Sequence, residues 1–230
     1  MADLDLLGVG LYSIREAARI SRVPAEHIRR WLWGSRSVAG GEIRESSVPL
    51  WTPELPALDH ARALSFRDLV EVQFVHRFRQ EGLSLQSIRK TIGVAAKLLQ
   101  ESYPLSSVKF KTDGKTILAQ VIEPGERGYV FDLATGQYLL EFILDYLYDA
   151  LEYSEFDDLV RWWPLGKDRR VVIDPRRSFG RPIIEEGVPT AILAGSFKAE
   201  GSVVAVARWF EIPERSVEDA LDFEHSRAAA

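Results

Sequence analysis

Ser13-Ile14-Arg15-Glu16-Ala17-Ala18-Arg19-Ile20-Ser21-Arg22-Val23-Pro24-Ala25-Glu26-His27-Ile28-Arg29-Arg30-Trp31-Leu32 is the stretch on which the reading of this 230-residue chain turns. Ser13 followed three residues on by Glu16 is a capping box, in which each side chain satisfies a backbone N–H that the helix start would leave unpaired. Ile14, Ala17 and Ala18, with Leu11, supply an apolar face, so the spacing predicts a helix over 14–20. Ser21-Arg22-Val23 leaves room only for a tight turn. Pro24 then suits the first turn of a second helix, where a missing N–H costs nothing; Ile28, Trp31 and Leu32 share one face, and Gly34 ends it. Helix, tight turn and helix make a helix-turn-helix.

The same pattern returns without a gap at a constant offset of 189, from Ser202 to Leu221. Ser13 matches Ser202, Ala18 matches Ala207, Arg19 matches Arg208, Val23 matches Ile212, Pro24 matches Pro213, Ile28 matches Val217 and Leu32 matches Leu221. These are the cap, the small contact residue, the turn plug, the leading proline and the core face. What differs is charge. The first copy carries Arg29, Arg30 and Arg36 against Glu26 over 24–36; the second carries Glu214, Glu218, Asp219, Asp222 and Glu224 against Arg215 over 213–225. A helix entering a DNA groove lies among phosphates, so the first is suited to it and the second is expected to pack or meet a protein.

Outward from these copies, Gly40-Gly41, Pro49, Pro53 and Pro56 block helix across 34–64, and Ile43 to Trp51 reads as a short hairpin or irregular wing. Ser65-Phe66-Arg67-Asp68 caps a helix that runs to Gly82, and Ser84 caps another over about 85–101. Val108 to Val121 alternates around Asp113-Gly114, a strong hairpin signal, and Tyr129 to Asp132 reads as a third strand. An amphipathic helix over 137–153 follows, ending in the aromatic turn Trp162-Trp163-Pro164-Leu165-Gly166. Three short helices near 190–200, 203–210 and 213–225 close the chain after an extended segment at 171–184. The expected fold class is mainly α with a small antiparallel β element: a winged helix-turn-helix over 1–102, a β meander plus helical connector over 103–165, and a small helical domain over 166–230.

Composition sets outer bounds. With 46% hydrophobic and 27% charged residues the chain reads as globular. Zero cysteines exclude thiolate nucleophiles, disulfides and cysteine zinc sites. No apolar run nears a membrane span, and the start lacks the basic region of a signal peptide, so a cytoplasmic location is expected. The net charge of −5 divides unevenly: residues 1–100 sum to +3 and residues 101–230 to −8. Two partners of different charge are implied. His27, His60, His76 and His225 are scattered without metal-ligand spacing, and Asp157-Asp158 and Glu185-Glu186 are adjacent carboxylates that point apart. Neither an enzyme, nor a bound metal or cofactor, is expected.

Tyr12 to Arg19, Val23 to Trp31, Leu64 to Leu69 and Phe78 to Arg89 together resemble the winged helix-turn-helix of MerR-type DNA-binding domains, over roughly residues 10–99. Arg22, Pro24 and the longer, proline-rich 34–64 segment depart from that pattern. Val172-Ile173-Asp174-Pro175, Phe179 to Ile184, Gly187 to Thr190 and Glu200-Gly201-Ser202 look like a small helical domain found in VapB-type antitoxins, and the whole chain is similar to the larger members of that group. The resemblance implies an antitoxin of a type II toxin-antitoxin system. Such a protein neutralises a PIN-domain ribonuclease toxin and, as a homodimer, represses its own operon at operator DNA.

Candidate DNA contacts are Arg29 and Arg30 on the second helix, with His27 at a base edge and Arg15, Arg22, Arg36 and Arg44 on phosphates or in the wing, since arginine both reads guanine and clamps phosphate. Trp31 shares the Ile28 face and is expected in the core. For the toxin there are two candidates: the cluster Arg169, Arg170, Arg176, Arg177 and Arg181, whose forks suit an acidic site, and the 141–158 segment with seven carboxylates and no Lys or Arg. The alternative function is a MerR-like ligand-sensing transcriptional regulator whose effector site over 105–165 uses Tyr129, Phe131, Tyr138, Tyr146, Trp162 and Trp163.

Overall fold

The computed structural model describes residues 8–39, 42–56, 62–121 and 143–228. The chain begins with β1 (Tyr12–Ser13), α1 (Ile14–Ser21) and α2 (Ala25–Trp33), then the hairpin β2 (Ser35–Ala39) and β3 (Glu42–Ser47). β4 (Ala63–Leu64) returns to pair antiparallel with β1, Tyr12 opposite Leu64. Next come α3 (Phe66–Gln80), α4 (Leu85–Leu99) and α5 (Val108–Val121). After α6 (143–149) lies the pair β5 (Leu151–Tyr153) and β6 (Leu159–Trp162). β7 (Val171–Val172) pairs with β8 (Ile183–Ile184), and α7 (Thr190–Glu200), α8 (Val203–Phe210) and α9 (Glu214–Ala228) complete the fold. The architecture is mainly α with small antiparallel strand pairs, as the sequence predicts.

α3 is the central element. Phe66, Leu69, Val70, Val72, Phe74, Val75 and Phe78 are all buried, so most of the helix surface is covered by its neighbours, while Arg67, Arg79 and Gln80 stay exposed. Its start is capped by Ser65 and Asp68. Asp68 is itself buried, accepting from Trp51 Nε1 at 2.8 Å and from the Ser65 backbone at 3.1 Å. Around α3 one core gathers Ile28 and Leu32 of α2, Ile88 and Ile92 of α4, Phe110 and Leu118 of α5, and Tyr148, Leu151 and Trp162 further on. A second core holds Ile184, Leu193, Val206, Val217 and Leu221.

Three local expectations are corrected. The 108–121 segment is a helix, not a hairpin. Ser107 Oγ accepts from Phe110 N at 3.2 Å, and the buried residues Phe110, Gly114, Ile117, Leu118 and Val121 recur at helical spacing. A Cβ on Gly114 would fall 2.7 Å from the Phe110 ring, so this glycine serves close packing within one helix instead of a turn. The predicted 137–153 helix ends at 149, because Leu151 to Tyr153 pair with β6; over its described residues, 143–158, the acidic segment is therefore a helix end, a strand and the turn that follows it. The wing hairpin occupies 35–47, upstream of the Ile43–Trp51 range, since Leu50 and Trp51 are drawn into the core. The third strand expected at 129–132 lies outside the described residues.

Candidate nucleic-acid interface and partner surfaces

α1 and α2 form on either side of a tight turn where the sequence places them. Glu16 N donates to Ser13 Oγ at 3.2 Å while Glu16 Oε2 accepts from Ser13 N at 2.9 Å, which closes the capping box. Ala17, Val23, Ile28, Trp31 and Leu32 are buried together, so Trp31 belongs to the core. Arg22 adopts φ 58° and turns the chain out of α1. On the outer side of α2, Arg29 and Arg30 are exposed and make no ion pair with another described residue. His27 is half-buried and stacks on Trp31, ring centroids 5.9 Å apart. Arg15 is exposed on α1. Arg36 and Arg44 both lie on the wing hairpin, opposite Glu45 and Ser37 respectively. Arg22 is differently placed, for its guanidinium donates to Ser226 Oγ on α9.

The second copy repeats the helix, turn and helix of the first. Ser202 caps α8 by accepting from Ala205 N at 3.3 Å, and α8, like α1, has eight residues. Glu211, the match of Arg22, takes the same left-handed conformation at φ 55°. Val217 and Leu221 are buried as Ile28 and Leu32 are. The two copies therefore share helix length, turn conformation and core face, although a left-handed residue also ends α4 at Gln100, φ 57°. The outer face of the second copy differs as expected: Glu214, Glu218 and Asp222 are exposed on α9. Asp219, by contrast, is buried and bonded.

The arginine cluster is not one surface. Arg169 pairs with Asp219 and Asp222, and Arg170 Nη1 lies 3.2 Å from Glu185 and 2.9 Å from Glu186. Arg177 Nη2 donates to the Glu185 carbonyl at 3.0 Å. These three fasten the β7–β8 segment to itself and to α9. Arg176 and Arg181 are exposed, on either side of Phe179, which is 80% exposed at φ 56°. This loop abuts the start of α1: Tyr12 Oη donates to the Gly180 carbonyl at 2.8 Å, and a Cβ on Gly180 would fall 2.2 Å from the same oxygen. Arg181 is near enough to Glu16 to act on its charge. The two terminal units thus meet along α1, at Tyr12 before its first turn and at Arg22 after its last.

Two further features bear on function. A cleft of about 500 Å³ opens between α3, α6 and the 162–168 turn, lined among others by Phe74, Tyr146, Leu147, Trp162 and Trp163. Tyr129, Phe131 and Tyr138, grouped with them by sequence, fall outside the described residues. Inside the core, Glu71 is wholly buried and pushed up to about 8, chiefly by burial, although Ser106 N and Oγ both donate to its Oε1. Its Oε2 has no hydrogen-bond partner. Sequence reasoning passed over Glu71, whose one visible signal is a carboxylate set among the apolar residues Leu69, Val70, Val72, Phe74 and Val75 of α3. Among the described residues no group of three or more His, Asp or Glu could hold a metal, and no helix is long and apolar enough to cross a membrane.

No protein-family model matches the chain. A proposed antitoxin, VapB45, of Mycobacterium tuberculosis is 28% identical over 233 residues, spanning 96% of this chain and 96% of that protein. The X-ray crystal structure of Rv2018 from Mycobacterium tuberculosis superposes with a TM-score of 0.71 at 23% identity, covering 94% of this chain and 99% of the other. The first likeness runs from end to end of both chains; the second concerns the fold.

Proposed function

We propose that this protein is the antitoxin of a type II toxin-antitoxin system, binding and neutralising a PIN-domain ribonuclease toxin and repressing its own operon at operator DNA. The observation that carries the reading is the end-to-end similarity to the VapB45 antitoxin. The division of charge supports it. Arg29 and Arg30 face outward on the helix that a helix-turn-helix places in the major groove, with Arg15, Arg36 and Arg44 beside it as phosphate contacts. His27, half-buried against Trp31, is restricted to the edge of that surface. Arg22, held by Ser226, serves to join the two units.

The reading head is of MerR type in this proposal, and the protein acts in the cytoplasm without catalysis of its own. The toxin is met by the C-terminal part, where Arg176 and Arg181 remain free to enter an acidic site while Arg169, Arg170 and Arg177 hold the loop that presents them. The test is co-purification of the tagged full chain with the product of the neighbouring gene, followed by an RNase assay on that product with and without the antitoxin. Stoichiometric recovery and suppressed RNA cleavage support the reading; cleavage unaffected by excess antitoxin overturns it.

A second reading rests on a separate observation, the gathering of Tyr146, Trp162 and Trp163 around one 500 Å³ cleft of the size that holds small molecules. A MerR-like ligand-sensing regulator would use it as the effector site. Recovery of operator DNA with no protein partner would favour this second function.

A further inference from the structure

α7 and α8 both pack on α9 over the second core, and their outer surface is apolar and small-featured. Ile192, Gly195, Ser196 and Ala199 follow one stripe along α7, three of them exposed and Ser196 half-buried. Beside them Trp209 of α8 stands 77% exposed. Between the two helices runs a groove of about 220 Å³, lined by Ser196, Ala199, Val206, Trp209 and Phe210 with Glu200 at its end. Knob and hole therefore share one face.

Gly195 is the informative residue. It sits inside a helix with ordinary helical backbone, and a Cβ added to it meets nothing within 4 Å. Nothing in its own chain requires a glycine there, although glycine in a helix interior costs roughly 0.5–1 kcal/mol against alanine. Gly195 and Ala199, four residues apart on the exposed side, leave a flat strip that a backbone from outside can approach closely. A solvated polar helix face would have neither this strip nor a tryptophan beside it.

We infer that this face is the homodimer interface, where α7 and α8 pack against their copies about a two-fold axis and each Trp209 enters the partner's groove. Three features select a second copy over a partner of other chemistry. The knob and the groove that fits it lie on the same patch, which is what an isologous contact demands. The two helices and their ends expose both signs, Lys198 and Arg208 with Glu200 and Glu211, so a two-fold rotation can set cation against anion, whereas a strongly acidic or basic partner would meet repulsion from half of them. The area also suffices: Trp209, Ile192 and the small residues between them offer on the order of 500 Å² per copy, or about 1,000 Å² across the pair, the lower bound for a specific interface. The inference is independent of the antitoxin reading, because it concerns the chain alone.

The experiment is sedimentation equilibrium of the purified full-length chain, without toxin or DNA, beside the variants Trp209→Asp and Gly195→Gln. The wild type is expected to be dimeric at micromolar concentration. Trp209→Asp should weaken self-association at least about 30-fold, the loss of one central aromatic anchor. Gly195→Gln gives the sharper test, since a better helix former should raise the melting temperature of the monomer while the added side chain blocks the close approach and lowers dimer affinity by a similar factor. A monomeric wild type, or variants that stay dimeric, would overturn the inference. So would variants that keep the dimer and lose capture of the toxin, which would give the face to the heterologous partner.

Discussion

Glu71→Gln removes the charge-bearing group of a wholly buried carboxyl. The carboxyl holds its proton up to about pH 8 in the folded chain, against 4.5 for an ordinary glutamate. A folded value above the unfolded one means the native state binds the proton more tightly. The stabilising effect is therefore complete below about pH 4.5 and lost as pH rises from there to 8. Each unit in that window costs about 1.4 kcal/mol, which accumulates to roughly 3 kcal/mol by pH 7. Glutamine preserves the shape and the oxygen that accepts from Ser106 at 2.8 and 2.9 Å, but it cannot ionise. It also places an amide where Oε2 has no partner, at a cost of about 1–3 kcal/mol that does not vary with pH. The variant should thus be no more stable than wild type at pH 5 and more stable at pH 8. Urea unfolding of both proteins at pH 5, 6, 7 and 8 gives the comparison, in which all other titrations cancel. A stability difference independent of pH would refute the argument and mean that Glu71 is ionised in the native core.

Four other outcomes are expected. Arg29→Ala combined with Arg30→Ala should weaken operator binding at least about 30-fold at constant salt, from about 1–3 kcal/mol per arginine contact, and leave toxin neutralisation intact; unchanged affinity in a gel-shift titration contradicts the assignment of α2. Arg169→Ala strands the buried carboxylate of Asp219 and should cost about 2 kcal/mol in chemical denaturation, with no loss signalling that Asp219 is held well enough by the Arg170 backbone N–H at 2.9 Å. Gly180→Ala meets both a φ of 78° and the Tyr12 hydroxyl, so thermal unfolding should begin at lower temperature, and an unchanged melting curve would mean that the loop repositions freely. A fragment of residues 1–102 lacks Leu105, Phe110, Ile117 and Leu118 of the first core and should give a circular dichroism spectrum of reduced helicity, which a native-like spectrum would contradict.

The elements legible in the sequence were those whose signals are local. Ser13 with Glu16, Ser65 with Asp68, Ser84 and Ser202 each mark a helix start through a bond made within three residues, and all four helices begin where those caps predict. The 108–121 segment carries a local hairpin signal, Asp113-Gly114, that is overruled by tertiary burial, since Phe110, Gly114, Ile117, Leu118 and Val121 enter the core at helical spacing. Long-range pairing was equally hidden. Arg169 meets Asp219 across 50 residues of chain, and Arg22 meets Ser226 across 204, so nothing in their neighbourhoods separates a structural arginine from a binding one. Arg29 and Arg30 stood out correctly as exposed because helical periodicity fixes which face is free.

The grip on both ends of α1 has a geometric consequence for the operator binding proposed above. Tyr12 is bonded to Gly180 ahead of the helix and Arg22 to Ser226 behind it, so α1 is tied at both ends to the C-terminal unit. A dimer joined through α7 and α8 would then carry its two recognition helices at a set separation and rotational phase, like the jaws of a fixed caliper. Operator half-sites moved by a full helical turn, or by half of one, would be rejected on spacing even with every base in place. The length of DNA between them becomes a quantity dictated by protein packing far from any base.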